Sequence, residues 1–291
     1  AEDGIRDRSP SRGLGDVYKR QVPTSSIGTD AFQEAPVSGV MGSVAKHVFL
    51  VTDPERLETT MRSAMEIARS GRPGPVVVDV PKDVQNWVGT YRGEGLLPVP
   101  GYRHRIQKTR ENTMSEEHCE EFFAFLNNCE RPLVYAGGGV INANAAEAVR
   151  TFALTYKIPV TTTLMGLGGF DTMHPLAMHM LGMHGTAYAN YAVDDCDLLI
   201  ALGGRFDDRV AGDPPKFARN AEHILHFDID PSEIHKVKPA NWHHVGLLKP
   251  ALEALIAHGR RTGFAKDYSL SLIHISEPTR RTPISYAVFC L

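Results

Sequence analysis

Short apolar runs alternate with amphipathic stretches along most of this chain. Residues 75–80 (PVVVDV), 133–136, 159–163, 198–202 and 224–229 are aliphatic or β-branched and of strand length. None shows strict in-out alternation, so they read as strands of a parallel sheet buried on both faces. The intervening stretches carry a helical period. Asp53 and Pro54 make a helix start, with Asp as the cap and Pro in the first turn. Leu57, Met61, Ala64, Met65 and Ala68 then fall on one face, and Gly71 ends the helix. Ser115 caps a second helix that turns Phe122, Phe123 and Leu126 inward, and further helices are predicted at 145–156 and 249–258. This order predicts an α/β fold of doubly wound parallel sheets. Residues 89–114 are rich in glycine, proline and basic residues without a period, which predicts a linker between two domains.

Composition excludes several partners. With 291 residues, 42% hydrophobic, 22% charged and a net charge of −3, the chain has no excess of cations to concentrate nucleic acid or anionic lipid. No apolar run reaches the roughly 18 residues needed to span a bilayer. Cys119, Cys129, Cys196 and Cys290 follow no metal-binding or CxxC spacing and read as reduced thiols, which favours a cytoplasmic setting. Residues 1–20 mix charges with no apolar core, so they do not read as a signal peptide. Neither they nor the last residues continue the pattern of the rest, and both ends read as foreign or disordered tails.

Candidate chemistry gathers where predicted strands end. Gly137, Gly138 and Gly139 follow one strand and precede a helix, a place where backbone amides approach a nucleotide without Cβ interference. A plain turn uses glycine equally well, so this signal is weak alone. The run 202–210, LGGRFDDRV, sets Arg205, Asp207 and Arg209 after another strand, where they are either a surface ion-pair cluster or a pyrophosphate clamp. His174, His179 and His184 recur every five residues, a spacing that puts no two on one helix face, so no metal site is predicted. The chain has no Walker loop, nucleophile elbow or HExxH run.

Three runs, 161–168 (TTTLMGLG), 180–193 (MLGMHGTAYANYAV) and 202–210, together resemble the acetohydroxyacid synthase (acetolactate synthase) catalytic-subunit family of thiamine-diphosphate enzymes. The resemblance covers about residues 21–256. It implies the C-terminal part of a pyrimidine-binding domain at 21–88, the linker at 89–114 and a Rossmann-like central FAD-binding domain at 115–262, with the tails at 1–20 and 263–291. It places FAD against Arg72, Gly137, Gly138, Gly139, Thr163, Leu164, Met165, Leu181, Gly182, Met183, His184, Gly204, Arg205, Asp207, Arg209, Asp228 and Ile229. Val22, Phe32 and Gln33, from a loop resembling the family's substrate-facing loop, match active-site positions, as do Lys82 and His184.

The activity implied is condensation of two pyruvates, or of pyruvate with 2-oxobutyrate, with loss of CO₂. Thiamine diphosphate and Mg²⁺ are implied for the intact parent. Their main anchors, a glutamate expected before Gln21 and a GDG…N run, are not found in the sequence, so the chain by itself reads as an inactive fragment. The resemblance further implies small 2-oxo acid substrates and a homodimer or homotetramer, with or without a regulatory small subunit. The alternatives are a sister carboligase such as glyoxylate carboligase and a non-catalytic FAD-binding fragment. Two departures stand out. The family usually has Gly-Asp at Gly246-Leu247, and residues 39–43 differ from its Thr- and Arg-rich run.

Overall fold

The computed structural model describes residues 21–90, 92, 93, 95, 99 and 101–268. The chain divides into two compact units, residues 1–106 and 107–291. Both tail expectations, except for residues 263–268, lie outside the described residues.

The first unit contains α1 (Val37–Met41), β1 (His47–Leu50), α2 (Leu57–Arg69), β2 (Val76–Asp79) and α3 (Lys82–Gln85). Strands β1 and β2 pair in parallel, His47 opposite Val76 through Leu50 opposite Asp79. Every residue of β2 is buried, its three valines and Asp79 alike. Asp53 caps the approach to α2 through the Glu55 amide at 3.0 Å. Gly71 takes φ +56, the left-handed conformation that ends a helix without a Cβ clash. The buried face of α2 differs from the predicted one: Thr60, Ser63, Ala64, Ile67 and Ala68 are buried, while Met61 and Met65 sit at the margin. Small residues let the helix lie close to the strands. The hydroxyls of Thr60 and Ser63 bond to the carbonyls of Arg56 and Thr59, so they enter the core with their polarity satisfied.

Part of the predicted linker is helical. The helix α4 (Tyr102–Glu111) buries Tyr102 among Ile67, Val78 and their neighbours, and Ile106 packs there one turn later. That i, i+4 pair is the whole apolar period of a segment otherwise dominated by Arg, Lys and His, too little to be read from sequence.

The second unit runs α5 (Glu116–Asn128), β3 (Pro132–Ala136), α6 (Gly138–Asn142), α7 (Ala146–Tyr156), β4 (Val160–Thr162), β5 (Ala177–Met180), α8 (Ala187–Asp195), β6 (Leu198–Leu202), α9 (Asp208–Ala211), β7 (His223–Asp228), β8 (Trp242–Val245) and α10 (Leu248–Thr262). Its sheet is parallel throughout, in the order β5-β4-β3-β6-β7-β8. The chain therefore winds outward from β3 in one direction and from β6 in the other, which makes the β3/β6 boundary a topological switch point. Strand alternation feeds two cores. Val134, Ala136, Leu198, Ile200 and Leu202 join Phe122, Phe152 and Leu252 on one face, while Leu133, Tyr135, Leu199 and Ala201 join Ala189, Val193 and Phe206 on the other. Packing also continues past the expected boundary at 262. Phe264 and Tyr268 pack on the first of these cores, and Lys266 Nζ donates to the carbonyl oxygens of Asn127 at 2.7 Å and Cys129 at 2.5 Å, closing the C-terminal end of α5.

Candidate functional site

In a parallel sheet every strand points the same way, so the loops that follow the strands collect along one edge. All of the expected flavin contacts in the second unit follow strand ends: Gly137–139 after β3, Thr163–Met165 after β4, Leu181–His184 after β5, Gly204–Arg209 after β6 and Asp228–Ile229 at the end of β7. Hydrogen bonds join these loops into a single rim. Thr163 N donates to Ala136 O (3.0 Å), Leu181 N to Thr162 O (3.2 Å), Met183 N to Arg209 O (3.4 Å) and Gly203 N to Phe227 O (2.8 Å). Asn190 of α8 grips Gly182 from both sides, its Oδ1 accepting from Gly182 N at 2.9 Å and its Nδ2 donating to Gly182 O at 3.1 Å. The runs 180–193 and 202–210, distant in sequence, thus meet at Gly182 and Arg209.

Two of the glycines of the β3 loop also shape the loop itself. Gly137 N donates to Leu202 O (2.9 Å) and Gly139 N to Gly203 O (3.0 Å), so two of the three amides are committed to the neighbouring loop. A Cβ on Gly139 would lie 2.6 Å from Gly203 Cα, and one on Gly137 would strike the Gly203 carbonyl. These residues are glycine because two loops meet backbone to backbone at the switch point. Gly138 differs: its Cβ would meet the Met165 side chain at 3.0 Å, on the rim.

Phe206 governs the β6 loop, and no sequence pattern announces it. Its φ is +55, a left-handed conformation that costs a bulky residue about 1–2 kcal/mol. It is held there by burial: its ring is 1% exposed, stacks on Tyr135 (5.3 Å, 16°) and meets His226 edge-on (5.2 Å). With Phe206 anchored inward, Arg205 and Asp207 on either side turn outward, their closest charged atoms 3.6 Å apart and both side chains well exposed. One carboxylate oxygen of Asp207, Oδ1, is buried without a partner among the described residues. His226 Nε2 lies 2.9 Å from Gly204 O and, facing a carbonyl, donates to it. Burial holds this histidine's pKa down at about 4, so it is neutral near pH 7. Asp228 is less open than expected, since its side chain is 9% exposed and its Oδ1 accepts the Asp230 amide at 2.9 Å.

An apolar lip borders the charged residues. Leu164, Met165 and Met183 are 67%, 74% and 69% exposed, and His184 is exposed beside them. The arginines and exposed thioethers suit an anionic ligand that carries flat rings, and the unpaired Asp207 oxygen suits a hydroxyl donor on it. That chemistry fits FAD.

Five of the expected residues belong to the first unit. Arg72 lies just past Gly71. Lys82 follows the end of β2, and the start of the loop that carries Val22, Phe32 and Gln33 is fastened there. Thr24 N donates to Asp83 Oδ1 at 2.9 Å, and the Thr24 hydroxyl bonds to the same carboxylate. Val22 is buried, whereas Phe32 is 91% exposed and Gln33 and Lys82 are exposed. Gln33, an expected functional residue, has φ +68, the left-handed conformation that Phe206 also takes.

Residues 119–255 match the family described as thiamine pyrophosphate enzyme, central domain. The chain is 42% identical over 271 residues to acetolactate synthase 1, chloroplastic, of Oryza sativa subsp. japonica, covering 92% of this chain and 41% of the relative. It is 47% identical over 240 residues to the probable acetolactate synthase large subunit of Methanocaldococcus jannaschii, covering 81% of this chain and 39% of the relative. It is 44% identical over 244 residues to the acetolactate synthase large subunit of Parasynechococcus marenigrum, covering 82% and 38%. The chain therefore spans about two fifths of the length of these relatives. Over residues 119–255 it therefore resembles the central domain of thiamine pyrophosphate enzymes, and over 81–92% of its length it is similar to acetolactate synthase large subunits.

Proposed function

We propose that this chain supplies a flavin-nucleotide-binding central domain and a substrate-facing loop to an acetolactate synthase, which condenses two pyruvates, or pyruvate and 2-oxobutyrate, with loss of CO₂. Thiamine diphosphate, held by Mg²⁺, supplies the electron sink for that chemistry when bound. The rim on the second unit takes FAD in an architectural role. Arg205 and Arg209 pair with its pyrophosphate, Gly138 and the Leu164, Met165 and Met183 lip flank its rings, and Asp228 and Ile229 close the β7 side. Arg72 remains an expected flavin contact from the first unit. On the first unit Val22, Phe32, Gln33 and Lys82 face the 2-oxo acids: Lys82 offers a cation to a carboxylate, Gln33 a hydrogen bond, and Val22 and Phe32 apolar contact that excludes water; His184, on the second unit, keeps its expected active-site role by resemblance. In this reading the protein works in the cytoplasm as a homo-oligomer, with or without a regulatory subunit.

One observation carries the proposal: five loops distant in sequence are hydrogen-bonded into one rim, and they carry the residues expected to touch the flavin. Relatives named acetolactate synthase favour this substrate class over glyoxylate carboligase. FAD titrated into the purified chain with fluorescence quenching as readout tests it. Arg205→Ala is expected to weaken binding by about 1.5–3 kcal/mol, the usual worth of a charge-assisted hydrogen bond. An unchanged affinity in that variant would remove Arg205 from the site.

A further inference from the structure

In the buried run Val76–Val80, Asp79 is the one charged residue, and it is 1% exposed. A carboxyl group is costly to bury without partners, so its contacts are informative. Its Oδ2 accepts from Gln21 Nε2 at 2.8 Å. The same Nε2 donates to Ala35 O at 3.2 Å, while Gln21 Oε1 accepts from Val22 N at 3.1 Å. One buried side chain therefore ties both ends of the 22–34 loop to the end of β2. A second tie works inside the loop, where the Glu34 carboxylate accepts the amides of Gly28 and, at 3.2 Å, Ala31. Between the ties lie Phe32, almost fully exposed, and Gln33, left-handed at φ +68. A strained, outward-facing residue persists only when its surroundings over-determine it, and these bonds do so.

We propose that Gln21 and Asp79 are positioning residues whose buried hydrogen bond closes the 22–34 loop and so sets where Phe32 and Gln33 meet the 2-oxo acid. The assignment rests on the reading that this loop faces substrate, but its physical content is the closure itself. The second Asp79 oxygen, Oδ1, is buried without a partner among the described residues, and burial raises the group's pKa above its ordinary value, so charge at this position costs more than in water. An asparagine should therefore replace Asp79 with little loss, since it keeps the acceptor and carries no charge. An alanine should not.

Amide hydrogen exchange of the full chain, read peptide by peptide without substrate or cofactor, tests this. Gln21→Ala and Asp79→Ala are each expected to speed exchange across residues 22–35 by about tenfold or more, while β1 and β2 keep their protection. Asp79→Asn should stay within about threefold of the parent. Should Asp79→Ala disrupt the strands, Gln21→Ala carries the test from the loop side. The proposal is overturned if Gln21→Ala leaves the loop as protected as before, if the strands lose protection equally in that variant, or if Asp79→Asn opens the loop as Asp79→Ala does. Because the readout needs no turnover, a chain unable to make acetolactate would still give a result, and a failed closure would leave the acetolactate reading standing.

Discussion

The two units solve the same problem, burying a parallel sheet, with unequal resources. In the second, six strands are covered on both faces, and Leu198 to Leu202 and Leu133 to Ala136 are essentially inaccessible to water. Among the described residues of the first, two strands share one small core, and apolar side chains remain in contact with solvent: Leu50 of β1 is 40% exposed, and Val40 and Val44 are each 65% exposed. A two-stranded sheet is marginal unless something packs on it. The first unit accordingly relies on side-chain ties at its loops, among them Gln21 to Asp79, Glu34 to the Gly28 amide and Thr24 to Asp83. Rigidity in the second unit comes from layers of packed side chains, and in the first from single polar bonds.

Truncating one core residue in each unit should break this symmetry most strongly. Phe122 is fully buried and meets Phe123, Phe152, Phe227 and Trp242 edge-on. Phe122→Ala should cost about 3–5 kcal/mol in urea unfolding of the second unit. Val78→Ala in the first should cost only about 1.5–2 kcal/mol, the worth of two buried methylenes. Equal losses would mean that the two cores are equally committed.

Acid should act next, and on the second unit in particular. Burial lowers the pKa values of both His226 and His244 to about 4, against 6.5 for the free side chain. Between those values the unfolded chain binds protons that the folded unit refuses, so stability falls as pH drops from about 6.5 toward 4 and levels off below. The drop should amount to a few kcal/mol, because each tenfold difference in proton affinity between the folded and unfolded chain is worth about 1.4 kcal/mol. Urea midpoints at pH 7 and pH 5 would show it. His226→Gln, which keeps a donor for Gly204 O and does not titrate, should remove part of the slope, and an unchanged slope would contradict the assignment.

A smaller effect concerns the start of α10. Leu247 occupies the cap position of this helix with extended backbone (φ −75, ψ 119) and no side-chain acceptor. The first turn holds no acidic residue. An Asp here, the usual family residue, would cap the helix, so the departure at Leu247 bears on stability as well as on any cofactor contact. Leu247→Asp should stabilise the second unit by about 0.5–2 kcal/mol, read as a higher melting temperature.

What is legible in the sequence follows from burial. Buried strands write mostly apolar or β-branched runs, and β2, β3, β4, β6 and β7 announce themselves that way. Strands β1 (HVFL), β5 (AMHM) and β8 (WHHV) do not: each keeps partly exposed positions that admit polar residues. The helix α8 is hidden because its apolar content is mostly alanine, although Thr186 caps it through the Ala189 amide at 3.3 Å. The candidate site is legible as a set of residues, because its members follow strands, and the parallel sheet then brings the second unit's share together. Hidden from the sequence are the bonds that give each loop its shape: the committed amides of Gly137 and Gly139, the left-handed Phe206, and Gln21 reaching across to Asp79. The last has a signal, a lone carboxylate inside a valine run.

We propose that the carboxyl edge of the six-stranded sheet binds FAD, and amide exchange of this chain with and without saturating FAD decides it. Slowed exchange is expected at Gly138, Leu164 to Leu167, Met183 to Gly185 and Arg205 to Val210, with no change at the opposite edge around Arg131 and Asp197. Slowing confined to that opposite edge, or no slowing at all with FAD bound, would contradict the claim.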